Sequence, residues 1–189
     1  MTSYGCPSAV LLVTILWWCG GLMTETQAGS LSRKTQPSPA LEMQPDRAYA
    51  AGARVHIPQG SASFVIPAGW HAQLPEDSDA IIVVSESAAG FVMVFMVLNL
   101  SDDELTSLLS EAQPITQDLV FEPVGRVIRK GNRLAASYAA GSLVGRSLAV
   151  IGPNQEGVLY CLGRPPTGSS QPDRVLDDLA DSTEFTATK

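Results

Sequence analysis

Gly90-Phe91-Val92-Met93-Val94-Phe95-Met96-Val97-Leu98 has no polar side chain at either parity of the chain. Successive side chains of a strand point to opposite faces, so a strand made of these residues is apolar on both and has to be covered on both. The length suits a strand better than a helix, and the β-branched and aromatic content agrees. A central strand in a two-sided sheet is therefore the starting expectation.

Working outward, Val55, Ile57, Phe64 and Ile66 read as a strand pair broken at Pro58-Gln59-Gly60, and Pro67-Ala68-Gly69-Trp70 as a turn. Ala80 to Ser85 reads as a further strand. After the central strand, Ser101-Asp102-Asp103-Glu104 is a capping box, in which the serine oxygen accepts from the backbone amide three residues on and the glutamate reaches back. Leu105, Leu108, Leu109 and Ala112 then form one apolar helical stripe, and Pro114 ends it. Strand patterns resume at Phe121 to Arg129, Arg133 to Ala140, Leu143 to Ile151 and Gly157 to Leu162, with turns at Gly131-Asn132, Gly141-Ser142 and Gly152 to Glu156. A last helix starts near Pro172 or Asp173 and buries Val175, Leu176 and Leu179; Glu184-Phe185-Thr186 closes the chain as a strand. Connections this short between the later strands exclude parallel crossovers. The expected fold is α+β, an antiparallel β-sheet sandwiched by helices.

These features resemble the secreted PsbP-like proteins: the Pro67 to Trp70 turn, the Ser-Asp-Asp-Glu helix start, Gly131-Asn132-Arg133-Leu134-Ala135 followed by Gly141-Ser142, and the closing Ser182-Thr183-Glu184-Phe185. The resemblance spans about residues 54 to 187. It implies a PsbP-like α/β/α sandwich and a non-enzymatic binding or assembly role, and transfers no site residue.

The ends of the chain read differently. Ala9 to Trp18 is an uncharged apolar run, and Thr26-Gln27-Ala28 offers small residues where a signal peptidase reads, so residues 1–28 are expected to be a signal peptide. The run from Ala9 to Met23, at 15 residues, is shorter than the roughly 20 that span a bilayer as a helix. A lipid anchor on Cys19 is the alternative, against which stand the bulky Trp17 and Trp18. Residues 29–52, with Pro37, Pro39 and Pro45, read as a flexible linker, and 53–187 as the folded domain. The expected location is periplasmic or secreted.

Of three cysteines only Cys161 lies beyond the signal, so the mature chain holds no intramolecular disulfide. Cys161 sits in an apolar strand and reads as a small buried hydrophobe. Serine hydrolase order fails, because His56 and His71 both precede Gly145-Arg146-Ser147-Leu148-Ala149 and no histidine follows it. A hydrolase built on Cys161 with His71 is the enzymatic alternative. Glu76-Asp77-Ser78-Asp79 lacks the glycine and distal glutamate of a calcium loop, and Met93 and Met96, at odd spacing, fall on opposite faces of their strand, so no metal and no cofactor is expected. Trp70 and His71 are the candidate small-ligand residues, since an aromatic with a polar edge at a turn often lines a pocket.

Charge is the unusual pattern. The chain carries a net -7, which argues against nucleic-acid binding. Residues 55–125 contain ten acidic side chains and no Lys or Arg, whereas 126–146 contain Arg126, Arg129, Lys130, Arg133 and Arg146 and no acid. Four of these cations flank the Gly131-Asn132 turn. A hairpin tip that carries positive charge out of an acidic body suits docking onto an envelope protein or an anionic membrane surface; the structural alternative is that Lys and Arg guard a sheet edge.

Overall fold

The computed structural model describes residues 39–87, 90–116, 119–166 and 171–186. The signal segment, Cys19 and the first part of the linker lie outside the described residues. Among those described, no helix is long and apolar enough to cross a membrane.

The chain forms a mostly antiparallel β structure with two short helices. In chain order these are β1 (Ala48–Tyr49), β2 (Arg54–His56), β3 (Ala62–Val65), β4 (Trp70–Gln73), β5 (Ile81–Ser85), β6 (Phe91–Leu98), α1 (Asp102–Ser110), β7 (Gln113–Thr116), β8 (Leu119–Pro123), β9 (Ile128–Lys130), β10 (Arg133–Ala140), β11 (Leu143–Ile151), β12 (Glu156–Arg164), α2 (Gln171–Ser182) and β13 (Glu184–Phe185). The large sheet runs β1-β4-β5-β6-β12-β11-β10-β8-β7, with β9 also on β10, and a small sheet runs β13-β3-β2. The double-sided apolar strand is interior, between β5 and β12. Farther along the sheet β10 is joined to β11 and to β9 by tight hairpins: Ala140 pairs with Leu143 and Lys130 with Arg133, leaving the two-residue turns Gly141-Ser142 and Gly131-Asn132. Gly131 and Gly141 take positive φ there, which such turns demand and glycine meets without strain.

One face of the sheet carries the main core. Val92, Val94, Leu148, Val150, Val158, Tyr160 and Leu162 are buried there against Val175, Leu176 and Leu179 of α2 and against Val55, Ile57, Phe64 and Ile66 of the small-sheet segment. Phe64 meets Tyr160 edge to face, ring centroids 6.1 Å apart, and the Tyr160 hydroxyl shares a 2.7 Å hydrogen bond with Thr183 Oγ1. Burying each such side chain contributes about 1.5–3 kcal/mol. A second, smaller cluster gathers Leu105 and Leu109 of α1 with Phe121, Leu134, Ala136, Tyr138, Ala140 and Ala149. The Tyr138 hydroxyl donates to the Leu109 carbonyl at 2.7 Å, satisfying an orphan acceptor at the end of α1.

Four expectations change. The helical cover of the second face is partial: Phe91, Met93, Phe95 and Val97, on the side of β6 away from the main core, are only half-buried, because α1 has nine residues and its sheet contacts are to β10. The stripe ending in Ala112 is too long, since α1 stops at Ser110, Ala112 is exposed, and Pro114 belongs to β7. The part of the expected 29–52 linker that lies among the described residues is folded chain from Leu41 on, because Leu41 bridges Val55, Pro45 bridges Leu74, and β1 pairs with β4 while Tyr49 is buried. Finally, the strand expected from Phe121 to Arg129 is two strands, β8 and β9. Both align on β10, with Pro123 opposite Tyr138 and Ile128 opposite Ala135. Four residues lie between Pro123 and Ile128 but only two between Ala135 and Tyr138, so the extra chain bulges outward at Gly125 (φ 88°) and Arg126.

Leu109→Ala is expected to lower unfolding free energy by about 2–5 kcal/mol, the cost of a buried cavity. Ala112→Ser, in exposed chain beyond the helix, should change it by less than about 0.5 kcal/mol. Urea titration of the two variants compares them directly, and equal losses would place Ala112 in the helix core.

Candidate functional site

The four cations around the Gly131-Asn132 turn are divided by the pleat of the hairpin. Arg129 stands opposite Leu134, and Lys130 opposite Arg133, so neighbouring cations leave on opposite faces. Arg129 reaches Asp102 at the first turn of α1 with N···O 2.6 Å, and Arg133 reaches Asp181 in the last turn of α2, also at 2.6 Å. One arginine of the hairpin thus holds the start of α1 and another the end of α2, where a cation also meets the negative end of the helix dipole. These pairs are solvent-exposed, each worth about 0–1 kcal/mol. Arg126 on the bulge and Lys130 on β9 are exposed and, among the described residues, form no ion pair.

Beside the bulge lies a cavity of about 480 Å3, lined by Val124, Ser137, Val144, Arg146, Leu162 and Arg164 among others. Ser137 and Arg146 are cross-strand partners, as are Val144 and Arg164, which sets the two guanidinium groups diagonally on one face. Its apolar part comes from strand alternation that α2 does not reach. Charge counting detects Arg146 in the cationic stretch; only the register places it with Arg164.

Trp70 and His71 do not line a common site. Both lie on β4, where adjacent residues face opposite ways: Trp70 is 8% exposed within the main core, while His71 is half-buried on the other face. The cavity beside the Pro67 turn, about 520 Å3, is lined by Ala51, Ile66, Pro67, Ala68, Asp178 and Ser182 and their neighbours, without Trp70. The Cys161 and His71 pairing fails on distance. Both face the same side of the sheet, but β12 and β4 are separated by β6 and β5, three inter-strand steps or about 14 Å. Cys161 instead accepts from the Ser147 hydroxyl at 3.3 Å, and burial pushes its thiol from the usual value near 9 up to about 11. A thiol so protonated at neutral pH is a poor nucleophile.

The remaining polar clusters serve local structure. Ser101 and Glu104 form the capping box, and the hydrogen bonds from Ser101 hold the Glu104 carboxyl below its ordinary range. Asp79 accepts from Gln59. Among the described residues no three His, Cys, Asp or Glu side chains gather as a metal site.

An antiparallel sheet with a helix following its central strand and a second helix packed on its main core is the architecture in hand. No protein-family model matches the chain, and no curated protein matches it. Among solved structures it is similar in fold to cyanobacterial PsbP from Synechocystis, with a TM-score of 0.49 and 10% identity over 74% of this chain and 92% of that one. A Bacteroides thetaiotaomicron protein gives a TM-score of 0.40 and 11% identity, covering 77% of this chain and 50% of its own.

Burial likewise raises the Tyr138 phenol from 10 to about 12, helped by the neighbouring Cys161 and opposed by a hydrogen bond with Ser147. Both groups hold their protons more tightly folded than unfolded, so the unfolded chain ionises first as pH rises. Stability should therefore be insensitive to these groups below about pH 9 and fall between about pH 9 and 12. Thermal melts across this range test it: Cys161→Ala should remove the part of the fall that starts near pH 9 and leave the part set by Tyr138 and by Tyr160, whose phenol burial also raises. A thiol reagent at pH 8 should label native Cys161 slowly and denatured chain fast; rapid native labelling would contradict the burial argument.

Proposed function

We propose that this chain is an exported, non-catalytic binding or assembly domain of a bacterial envelope, a PsbP-like sheet with a helix on each face, which docks through the cationic hairpin. The reading is supported above all by the division of labour among its cations. Arg129 and Arg133 are satisfied by Asp102 and Asp181 of the same chain, whereas Arg126 and Lys130 stand exposed on an acidic molecule with no intramolecular ion pair among the described residues. An uncompensated positive tip of this kind attracts an anionic partner at long range and meets it first. The bulge strengthens the argument, since the extra chain at Gly125 and Arg126 is unpaired with β10 and leaves Arg126 exposed. The apolar run and small-residue site of residues 1–28 support export, and the separation of Cys161 from His71 leaves the enzymatic alternative without a dyad.

Docking of this type is screened by salt, because the Debye length falls to about 3 Å at 1 M. Binding to an anionic surface or envelope partner should be strong at low salt and largely lost near molar salt. Arg126→Gln with Lys130→Gln should abolish most of it while leaving the thermal midpoint unchanged. Arg129→Gln and Arg133→Gln should instead cost about 0–1 kcal/mol of stability each. If the Arg126 and Lys130 variant binds normally but aggregates, the two cations protect the edge of β9, and the docking reading fails.

A further inference from the structure

Of the five large hydrophobic side chains left exposed among the described residues, Leu41 and Leu98 lie elsewhere and three lie on or between β8 and β9. Val120, Val124 and Ile128 are large hydrophobic side chains left open to solvent, Val124 by 56% and Ile128 by 64%. Val124 donates its backbone amide to Ser137, and Ile128 is paired with Ala135, so the two stand along the same edge of β10 and on the same face, with the bulge between them. Lys130, two residues after Ile128, shares that face. So does the cavity lined by Val124, Ser137, Arg146 and Arg164. Arg146 is half-buried and, among the described residues, makes no hydrogen bond or ion pair. Arg164 donates to the Pro165 carbonyl at 3.4 Å. The carboxylate on this side of β8 is Glu122, opposite Ala139, and it is exposed.

Two exposed aliphatic side chains flanking a bulge, with cations beside them and an arginine-lined cavity adjoining, match the chemistry of an amphiphile with an anionic head. We infer that this edge is a seat for an anionic phospholipid surface: Val124 and Ile128 enter the boundary between headgroups and acyl chains, Arg126 and Lys130 bind surface phosphates, and Arg146 with Arg164 receives one headgroup phosphate in the cavity. Apolar insertion beside basic residues is how peripheral elements hold a membrane whose surface potential alone binds them weakly. A protein partner fits less well. The stretch from Val124 to Lys130 is short and has no aromatic anchor, whereas protein interfaces need about 800 Å2 per partner and draw their energy from Trp, Tyr and Arg at the centre. The inference rests on the docking role proposed above and names its partner.

The test is hydrogen–deuterium exchange of the full chain with vesicles of phosphatidylglycerol and phosphatidylcholine, read locally at residues 124–130 so that contacts made by the N-terminal apolar run do not count. The expected result is slowed exchange at 124–130 that survives in part at molar salt. Val124→Ser with Ile128→Ser keeps every charge and should weaken this local protection at least tenfold and remove its salt-resistant part. Arg146→Gln should weaken protection on phosphatidylglycerol vesicles and abolish competition by glycerol phosphate; competition equally effective in wild type and variant would remove the cavity from the site. Protection that is wholly salt-releasable and unchanged in the serine variant would overturn insertion while leaving electrostatic docking intact. Absence of protection on vesicles, with protection of the same residues by an acidic envelope protein, would replace lipid by protein as the partner. Loss of neither in the Arg126→Gln, Lys130→Gln variant would instead bring down the docking role itself. Far-UV circular dichroism melts of each variant check that the fold is retained, as expected for the exposed positions 124, 126, 128 and 130 and for the half-buried Arg146, which has no ion pair among the described residues.

Discussion

β6 and the middle of β12 beside it are apolar on both faces, and the rest of the molecule is arranged around the need to cover them with little material. Two helices of nine and twelve residues and a three-stranded sheet are the layers at hand. The small sheet and α2 bury one face to the point that Tyr160, Val158 and Val92 are fully enclosed. On the other face α1 closes only the β10 end, where Tyr138 ties it down, and the side chains of β6 protect one another laterally. Phe91 lies over Gly163 and Phe121 over Gly145, so rings fill the grooves that two glycines leave in adjacent strands.

The same economy explains the charges. With short helices there are few side chains to anchor each end, so the hairpin supplies one arginine to α1 and one to α2. Because the pleat sends alternate residues to opposite faces, a run of basic residues is divided into structural and surface cations without any change of composition. The two left exposed stand on and just after the bulge, which is flanked on the β10 edge by the exposed Val124 and Ile128. Charge, apolar exposure and a cavity thus meet at one edge, where β8 hands over to β9.

Much of this was legible from the linear chain. The parity of Gly90 to Leu98 specified an interior strand, since a two-sided apolar strand has no stable edge position, and the capping box at Ser101 marked the start of α1 through purely local hydrogen bonds. The two hairpins followed from glycine at positions needing positive φ. Folded chain before Ala53 was harder to see, because Leu41, Pro45 and Tyr49 acquire their burial or pairing from segments distant in sequence and carry no periodicity of their own. Trp70 and His71 lie not at the turn but on β4, whose pleat sends neighbouring side chains to opposite faces, and a turn motif alone does not show this.

By itself the sequence determined the alternation of strands, the antiparallel hairpins, the helix start and the segregation of acid from base, all of which depend on neighbours within a few residues. Only the tertiary structure decided which cations are spent on Asp102 and Asp181, that Cys161 and His71 stay apart, and that Val124, Ile128, Arg146 and Arg164 share a surface. The physical reason is register: these relations depend on which residues of separate strands stand opposite one another, and a shift of one position would send every side chain to the other face.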